Sequence, residues 1–235
     1  EPCSHYGKTP PCADLIISKG IKRCVCGCVD PFAKVQGRGI QRMRDAGIEV
    51  IVGVMEKECL ALNRRFITFN AKHRPYILLK WAQTLNGFIS RKGGPLQLST
   101  PKTQMLVHQL RTENDAILVG HTTFLTDHPS GQNPERIVLS PTMSAQNERP
   151  SNWTVAATID EVIAHLYATK KQSLVVEGGR MTLQAFIDRG LWDEIRIETA
   201  PVLITDGVPA PLIPSDAHIE KTESIDGNQI ITLCR

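Results

Sequence analysis

With 235 residues, 41% of them hydrophobic and 22% charged, the chain can hold one large domain or two small ones around a buried core. A formal net charge of +3 suits phosphorylated ligands but is too weak for a nucleic-acid footprint, and 5% aromatics leave no stacking platform for single strands. No apolar run approaches the roughly 20 residues of a membrane span, no secretory leader opens the sequence, and seven cysteines without scaffold spacing point to free or metal-bound thiols in a reducing cytoplasm.

Residues 11–19 read as a short helix ending at Gly20, and a β-rich stretch over 21–29 stops at Asp30-Pro31. Residues 39–45 are helical and close at Gly47, placed as a C′ glycine. A continuous apolar strand over 48–52 and a helix over 56–66 follow. These elements form part of a small α/β layer with too few strands to close a core alone. The polar run Lys72-His73-Arg74-Pro75 reads as a linker, since a proline favours extended chain before it. Two domains are therefore expected, 1–71 and 74–235.

A second alternating series begins with a strand over 76–81, a tight turn at Asn86-Gly87 and a short strand over 88–90. Thr100 is set to cap a helix with Pro101 in its first turn, running to about Leu110. Strands are expected over 116–119, 136–139 and 154–157, and a helix over 159–169. A buried strand over 174–176 runs into Gly178-Gly179 and a helix reaching Asp188, with late strands over 195–198 and 230–233.

Three motifs carry chemistry. Cys3 and Cys12, in Pro-Cys-Ser-His-Tyr-Gly-Lys-Thr-Pro-Pro-Cys, are a proline-led thiol pair of the kind that ligates the catalytic zinc of nucleobase deaminases; the alternative is two buried structural thiols. The His-x-Glu half of such a site is absent, so a truncated front end is expected. Cys24, Cys26 and Cys28 alternate, which puts them on one strand face, better placed to pack under a helix than to wrap a tetrahedral ion. The run Leu174-Val175-Val176-Glu177-Gly178-Gly179-Arg180 is a strand, paired glycines and a helix, a backbone device for phosphate or simply a structural turn.

The order of these motifs resembles the bifunctional riboflavin-biosynthesis deaminase/reductase family. The cysteine run, Gly27-Cys28-Val29-Asp30-Pro31, Gly37-Arg38-Gly39 and Glu58-Cys59 match its deaminase part. Lys80-Trp81-Ala82, Ser99-Thr100, Leu110-Arg111, residues 115–120, Thr123 with Asp127 and Pro129, and residues 176–179 match its reductase part. The resemblance implies an α/β chain holding the C-terminal half of a cytidine-deaminase-like domain, followed by a dihydrofolate-reductase-like domain. By that likeness Cys3 and Cys12 are zinc thiolates. Ala82, Thr123, Asp127 and the turn Gly179, Arg180, Met181, Thr182, Leu183, Gln184 and Ala185 would line NADPH. Arg111 and Glu177 would contact a phosphoribosylaminopyrimidine substrate, with Lys80 beside them in the first strand to bind or polarise it.

Each residue has a plainer reading. Arg111 also suits a solvated charge at a helix end, and Asp127 a turn before Pro129. Glu177, after an apolar strand, needs a job or a partner. The chain departs from the family pattern after Ser130, where a Leu and a phosphate-holding Arg are expected, and near Gly93-Gly94-Pro95 and residues 145–152. The implied activity is NADPH-dependent reduction of the ribose to a ribityl chain, plus zinc-dependent deamination in an intact protein, as a homodimer. The alternatives are a stand-alone reductase with an inert deaminase remnant and a non-catalytic nucleotide sensor.

Overall fold

A computed structural model of the chain describes residues 1–92, 96–127, 134–148 and 150–235. It divides into two compact units, Glu1–Arg74 and Pro75–Arg235. The expectations at Gly93-Gly94-Pro95, at Pro129 and at Ser130 to Asn133 lie outside the described residues.

The first unit runs α1 (Cys12–Ser18), β1 (Arg23–Cys26), α2 (Arg38–Asp45), β2 (Glu49–Val52), α3 (Glu56–Leu62) and α4 (Arg64–Lys72). Strands β1 and β2 pair in parallel, with Arg23 opposite Glu49. Ala13 of α1 and Ile40 and Met43 of α2 pack on Cys26, Ile48 and Val50 to make its small core. Val25 and Ile51 remain 54% and 39% exposed. Helix α2 ends as its glycine signals: Gly47 takes φ +82° and the Ile48 N–H reaches the Met43 carbonyl at 3.0 Å.

Two boundaries differ from the sequence reading. Strand β1 is shorter than 21–29, so Cys28 lies beyond the ladder and only Cys24 and Cys26 share a strand face, with Sγ atoms 3.9 Å apart. The helix expected over 56–66 breaks at Asn63, whose side-chain amide bonds the Cys59 carbonyl at 2.9 Å. An Asn side chain that competes for backbone carbonyls favours such a break. The following helix α4 reaches Lys72, the start of the expected linker.

The second unit opens with β3 (Tyr76–Thr84), β4 (Phe88–Arg91), α5 (Pro101–Thr112), β5 (Ala116–Gly120) and α6 (His121–Asp127). It continues with β6 (Glu135–Leu139), α7 (Pro141–Ala145), β7 (Thr154–Ala156), α8 (Ile159–Ala168), β8 (Ser173–Val176) and α9 (Arg180–Asp188). Strands β9 (Glu194–Ala200), β10 (Gly207–Pro209), β11 (His218–Ile225) and β12 (Asn228–Cys234) complete it. Eight strands form one mixed sheet in the order β11-β12-β9-β3-β8-β5-β6-β7. From β9 to β7 every neighbouring pair is parallel, while β12 and β11 run antiparallel.

Parallel strands survive when both faces are covered. On one face Ile77, Leu79 and Trp81 of β3 join Val162 and Leu166 of α8 and Leu183 and Phe186 of α9 in the main core. On the other, Leu78, Ile117 and Val175 meet Leu110 of α5. Helix α5 starts as expected: Thr100 and Thr103 form a reciprocal capping box, with Pro101 in the first turn. Among the described residues no helix is long and apolar enough to cross a membrane, and all seven cysteines are free.

Candidate active site

The connections after β5 and β8 leave these adjacent parallel strands in opposite directions. From β5 the chain passes through α6 to β6, and from β8 through α9 to β9, beyond β3. A crevice outside the carboxyl ends of such strands is where open α/β sheets bind ligands. Gly120 and His121 end one wall of it and Glu177 to Thr182 the other. The Glu177 N–H closes the strand ends together on the Leu118 carbonyl at 2.9 Å.

Glycine is required on both walls. A Cβ on Gly178 would meet the Thr182 Cβ and Cγ2 at 2.7 and 2.9 Å and the Gly120 nitrogen at 3.1 Å, and one on Gly120 would collide with the Thr182 hydroxyl. Gly179 is roomier, with the Thr123 Oγ1 at 3.6 Å from that position. Gly179 is the N-cap of α9 and no side chain caps that helix. The first-turn N–H groups and the positive dipole end therefore stand at the crevice, as an anion site requires.

Polar side chains gather on the α5 face of the sheet. Lys80 pairs in register with Arg196 of β9, and Ala82 with Glu198. Since alternate strand residues share a face, all four lie on the side of Leu78 and α5. Arg111, at the end of α5, holds Glu177 in a forked pair: Nε donates at 3.0 and 3.2 Å and Nη2 at 2.5 Å. The two side chains are 18% and 10% exposed, so this is a largely desolvated ion pair. Glu198, 2% exposed, accepts from Ser99 Oγ at 2.7 Å and Asn228 Nδ2 at 2.6 Å.

Lys80 has no ion pair or side-chain hydrogen bond among the described residues. Burial lowers its pKa from the usual lysine value, against the opposing pull of the Glu177 and Glu198 carboxylates. Burial thus weakens the hold of Lys80 on its proton, while the two carboxylates strengthen it.

The expected cofactor residues separate into two groups. Ala82, Thr123, Gly179, Arg180, Met181 and Thr182 lie at strand ends or first turns around the crevice. Leu183 is fully buried and Ala185 packs on the main core. The Gln184 side chain is bonded to Asp188 and to the Leu212 N–H at 2.7 and 2.8 Å. Asp127 ends α6, and its side chain lies outside the described residues. Sequence reasoning did not find Arg196, Glu198, Ser99 or Asn228. Strand register sets Arg196 opposite Lys80 and Glu198 opposite Ala82, and Glu198 gathers Ser99 and Asn228 by hydrogen bonds, although a carboxylate at position 198 of a β-rich run was a visible signal.

In the first unit, the Cys12 N–H points to Cys3 Sγ at 3.3 Å and the Ala13 N–H to the Cys3 carbonyl at 3.1 Å. The hydrogen bond and charge of Cys3 push the Cys12 thiol up, while burial, with Cys24 adding to it, takes Cys26 to about 11. Glu1, also unanticipated, accepts from the Asp30, Gly37 and Gly39 N–H groups at 3.1, 2.9 and 3.0 Å. It thereby caps α2 and fixes the segment leading to Cys3. Among the described residues no group of three His, Cys, Asp or Glu side chains is arranged to hold a metal.

The model of the RibD C-terminal domain matches residues 75–225. The riboflavin biosynthesis protein RibD of Aquifex aeolicus is 35% identical over 88% of this chain and 69% of its own length. The chain belongs to the RibD family. A RibD-family structure from Thermotoga maritima, a diaminohydroxyphosphoribosylaminopyrimidine deaminase/5-amino-6-(5-phosphoribosylamino)uracil reductase, superposes with a TM-score of 0.87 at 31% identity. It covers all of this chain and 77% of that one. The dihydrofolate reductase of Enterococcus faecalis complexed with NADP(H) shares the fold over 68% of this chain and 96% of its own, with a TM-score of 0.57 at 19% identity. The RibD-type reductase unit therefore has the dihydrofolate-reductase-like α/β fold that its motifs imply.

Proposed function

We propose that this chain reduces 5-amino-6-(5-phosphoribosylamino)uracil to the ribitylamino product with NADPH, a step of riboflavin biosynthesis. The carrying observation is the cluster of Lys80 with the Arg111–Glu177 pair at the switch-point crevice. In this reading residues 74–235 are the reductase domain and residues 1–71 the deaminase-type domain.

The crevice fits a dinucleotide. Gly120 and Gly178 let Thr182 of α9 pack directly against the strand ends, which brings the uncapped N-terminus of α9 and its free N–H groups to the crevice, where they can meet a phosphate. Gly179 to Thr182, Thr123 and Ala82 would hold NADPH, with Asp127 included on family likeness. When bound, NADPH supplies the hydride delivered to C1 of the sugar.

The protein orients the sugar and handles the proton. As C1 becomes saturated its bond to the ring oxygen breaks, and that oxygen needs a proton. Lys80 is the group suited to deliver it, because burial weakens its hold on the proton. Arg111 and Glu177 position the phosphoribosyl group; the fork keeps the carboxylate from repelling the phosphate.

For zinc the outcome differs. Cys3 and Cys12 supply two soft donors, whereas a catalytic zinc takes three protein ligands and a water. The described residues do not complete that set, so no deamination step follows for them. The homodimer and the cytoplasmic location are proposed on family likeness, to be checked by sedimentation and by fractionation.

The test is NADPH oxidation, followed at the nicotinamide absorbance band, on addition of the deaminated pyrimidine. Turnover is expected from the wild-type chain and its loss in Lys80→Met. Absence of oxidation at saturating substrate, with the protein folded, would refute the reductase reading.

A further inference from the structure

A second cavity, of about 620 Å³, opens at the N-terminal ends of β6 and β7 and beside the turn that follows α8. Glu135 and Thr154 are the first residues of those strands, and Lys171 precedes β8 by two residues. Gly120 and Glu177 sit at the carboxyl ends of the same set of parallel strands, so this cavity lies at the opposite end of the strands. Its volume is that of a small-molecule site, yet its lining is largely polar: Glu135, Arg136, Asn152, Trp153, Thr154 and Lys171.

The charges in it are unbalanced. The Glu135 carboxylate is already engaged, with His165 Nε2 at 2.6 Å and Thr154 Oγ1 at 3.3 Å. Arg136 and Lys171 are both half-buried and have no carboxylate partner among the described residues. Arg189 and Arg235, by contrast, rest on Asp160 and Asp216. A partly desolvated cation without a counter-charge is a standing electrostatic cost that an arriving anion relieves.

The cavity also has a fixed aromatic wall. The Arg136 guanidinium lies 5.9 Å from the centre of the Trp153 ring, and Phe124 packs against that ring edge-on at 5.1 Å. The indole is thus held in place beside Arg136, in the same lining as Lys171. Phosphate recognition by Arg and Lys beside an aromatic surface describes one ligand class, a planar base carrying a phosphate.

We propose that this cavity is a second ligand site, remote from the crevice, that binds a nucleoside-monophosphate-like molecule. Its phosphate sits on Arg136 and Lys171 and its base lies against Trp153. The site does not depend on the reductase reading.

The test is calorimetric titration of the full chain with AMP, inorganic phosphate and adenosine in parallel. Saturable AMP binding is expected, tighter than that of phosphate or adenosine and weakened by added salt. The double variant Arg136→Met/Lys171→Met should weaken AMP binding at least about tenfold with the melting midpoint held. Trp153→Phe should weaken AMP but not phosphate. AMP binding that is unchanged in the double variant would belong to the crevice and overturn the proposal. So would AMP binding no tighter than phosphate, or no saturation at all.

Discussion

The two units solve the same problem with unequal means. In Pro75–Arg235 a parallel sheet is covered on both faces, and its charged residues can be held in place by register and by a rigid helix end. In Glu1–Arg74 two parallel strands carry helices over one core, while Val25 and Ile51 stay exposed. The first arrangement can keep a desolvated ammonium next to an ion pair. The second holds two thiols on a loop pinned by Glu1 and offers no third ligand among the described residues. That contrast is why the proposed reduction, which needs a dry, preorganised pocket, is placed in the larger unit.

The sharpest break in this contrast is Lys80→Met. Reduction should fall by at least about a hundredfold, the usual worth of a positioned proton donor, while the fold becomes more stable. The folded pKa of Lys80 lies below its usual value, so charging it costs stability below the folded pKa. That cost fades as pH rises through the window up to the unfolded value. Thermal melts across the alkaline range should therefore show wild type gaining on the variant as pH rises, by about 2–4 °C per kcal/mol.

Next in size is Arg111→Met, which leaves Glu177 charged and largely buried. Breaking a fully buried pair costs about 3–5 kcal/mol; with the side chains 18% and 10% exposed, about 2 kcal/mol is expected, together with a raised KM for the pyrimidine. Denaturant titration and steady-state kinetics would measure both. Gly178→Ala comes third, since the new methyl meets Thr182 and the Gly120 backbone. It should cost about 1–3 kcal/mol and raise the KM for NADPH more than it lowers kcat.

The smallest expected effect lies in the other unit. Cys26→Ser buries a hydroxyl among Ala13, Ile40 and Met43 and should cost about 1–2 kcal/mol there. Hydrogen exchange should quicken at β1 and β2 amides, with the reduction rate unchanged. A loss of reduction in this variant would mean that the two units do not divide the work as described.

Much of the larger unit was legible in the sequence because its signals are local. Thr100-Pro101 announced a cap, the apolar runs at 116–119 and 174–176 announced buried strands, and Gly178-Gly179 announced the turn. The misses came where local signal is weak. Helix α6, His-Thr-Thr-Phe-Leu-Thr-Asp, is rich in poor helix formers and gave no amphipathic pattern. Edge strand β11 carries Glu220, Lys221 and Glu223, which suit an exposed edge but erase the alternation that marks a strand. Lys80, Arg111 and Glu177 were legible as site candidates. Their company of Arg196 and Glu198 was not, because it arises from pairing β3 with a strand more than a hundred residues later, and Ser99 and Asn228 join only through Glu198.

Hydride transfer within the crevice of the larger unit is most directly tested with NADPH deuterated at the transferable position. After incubation with 5-amino-6-(5-phosphoribosylamino)uracil, mass spectrometry of the product should show one deuterium at the former C1 of the sugar, formed at least about a hundredfold more slowly by Lys80→Met. An unlabelled product, or no reduced product from folded wild-type chain, would contradict the assignment.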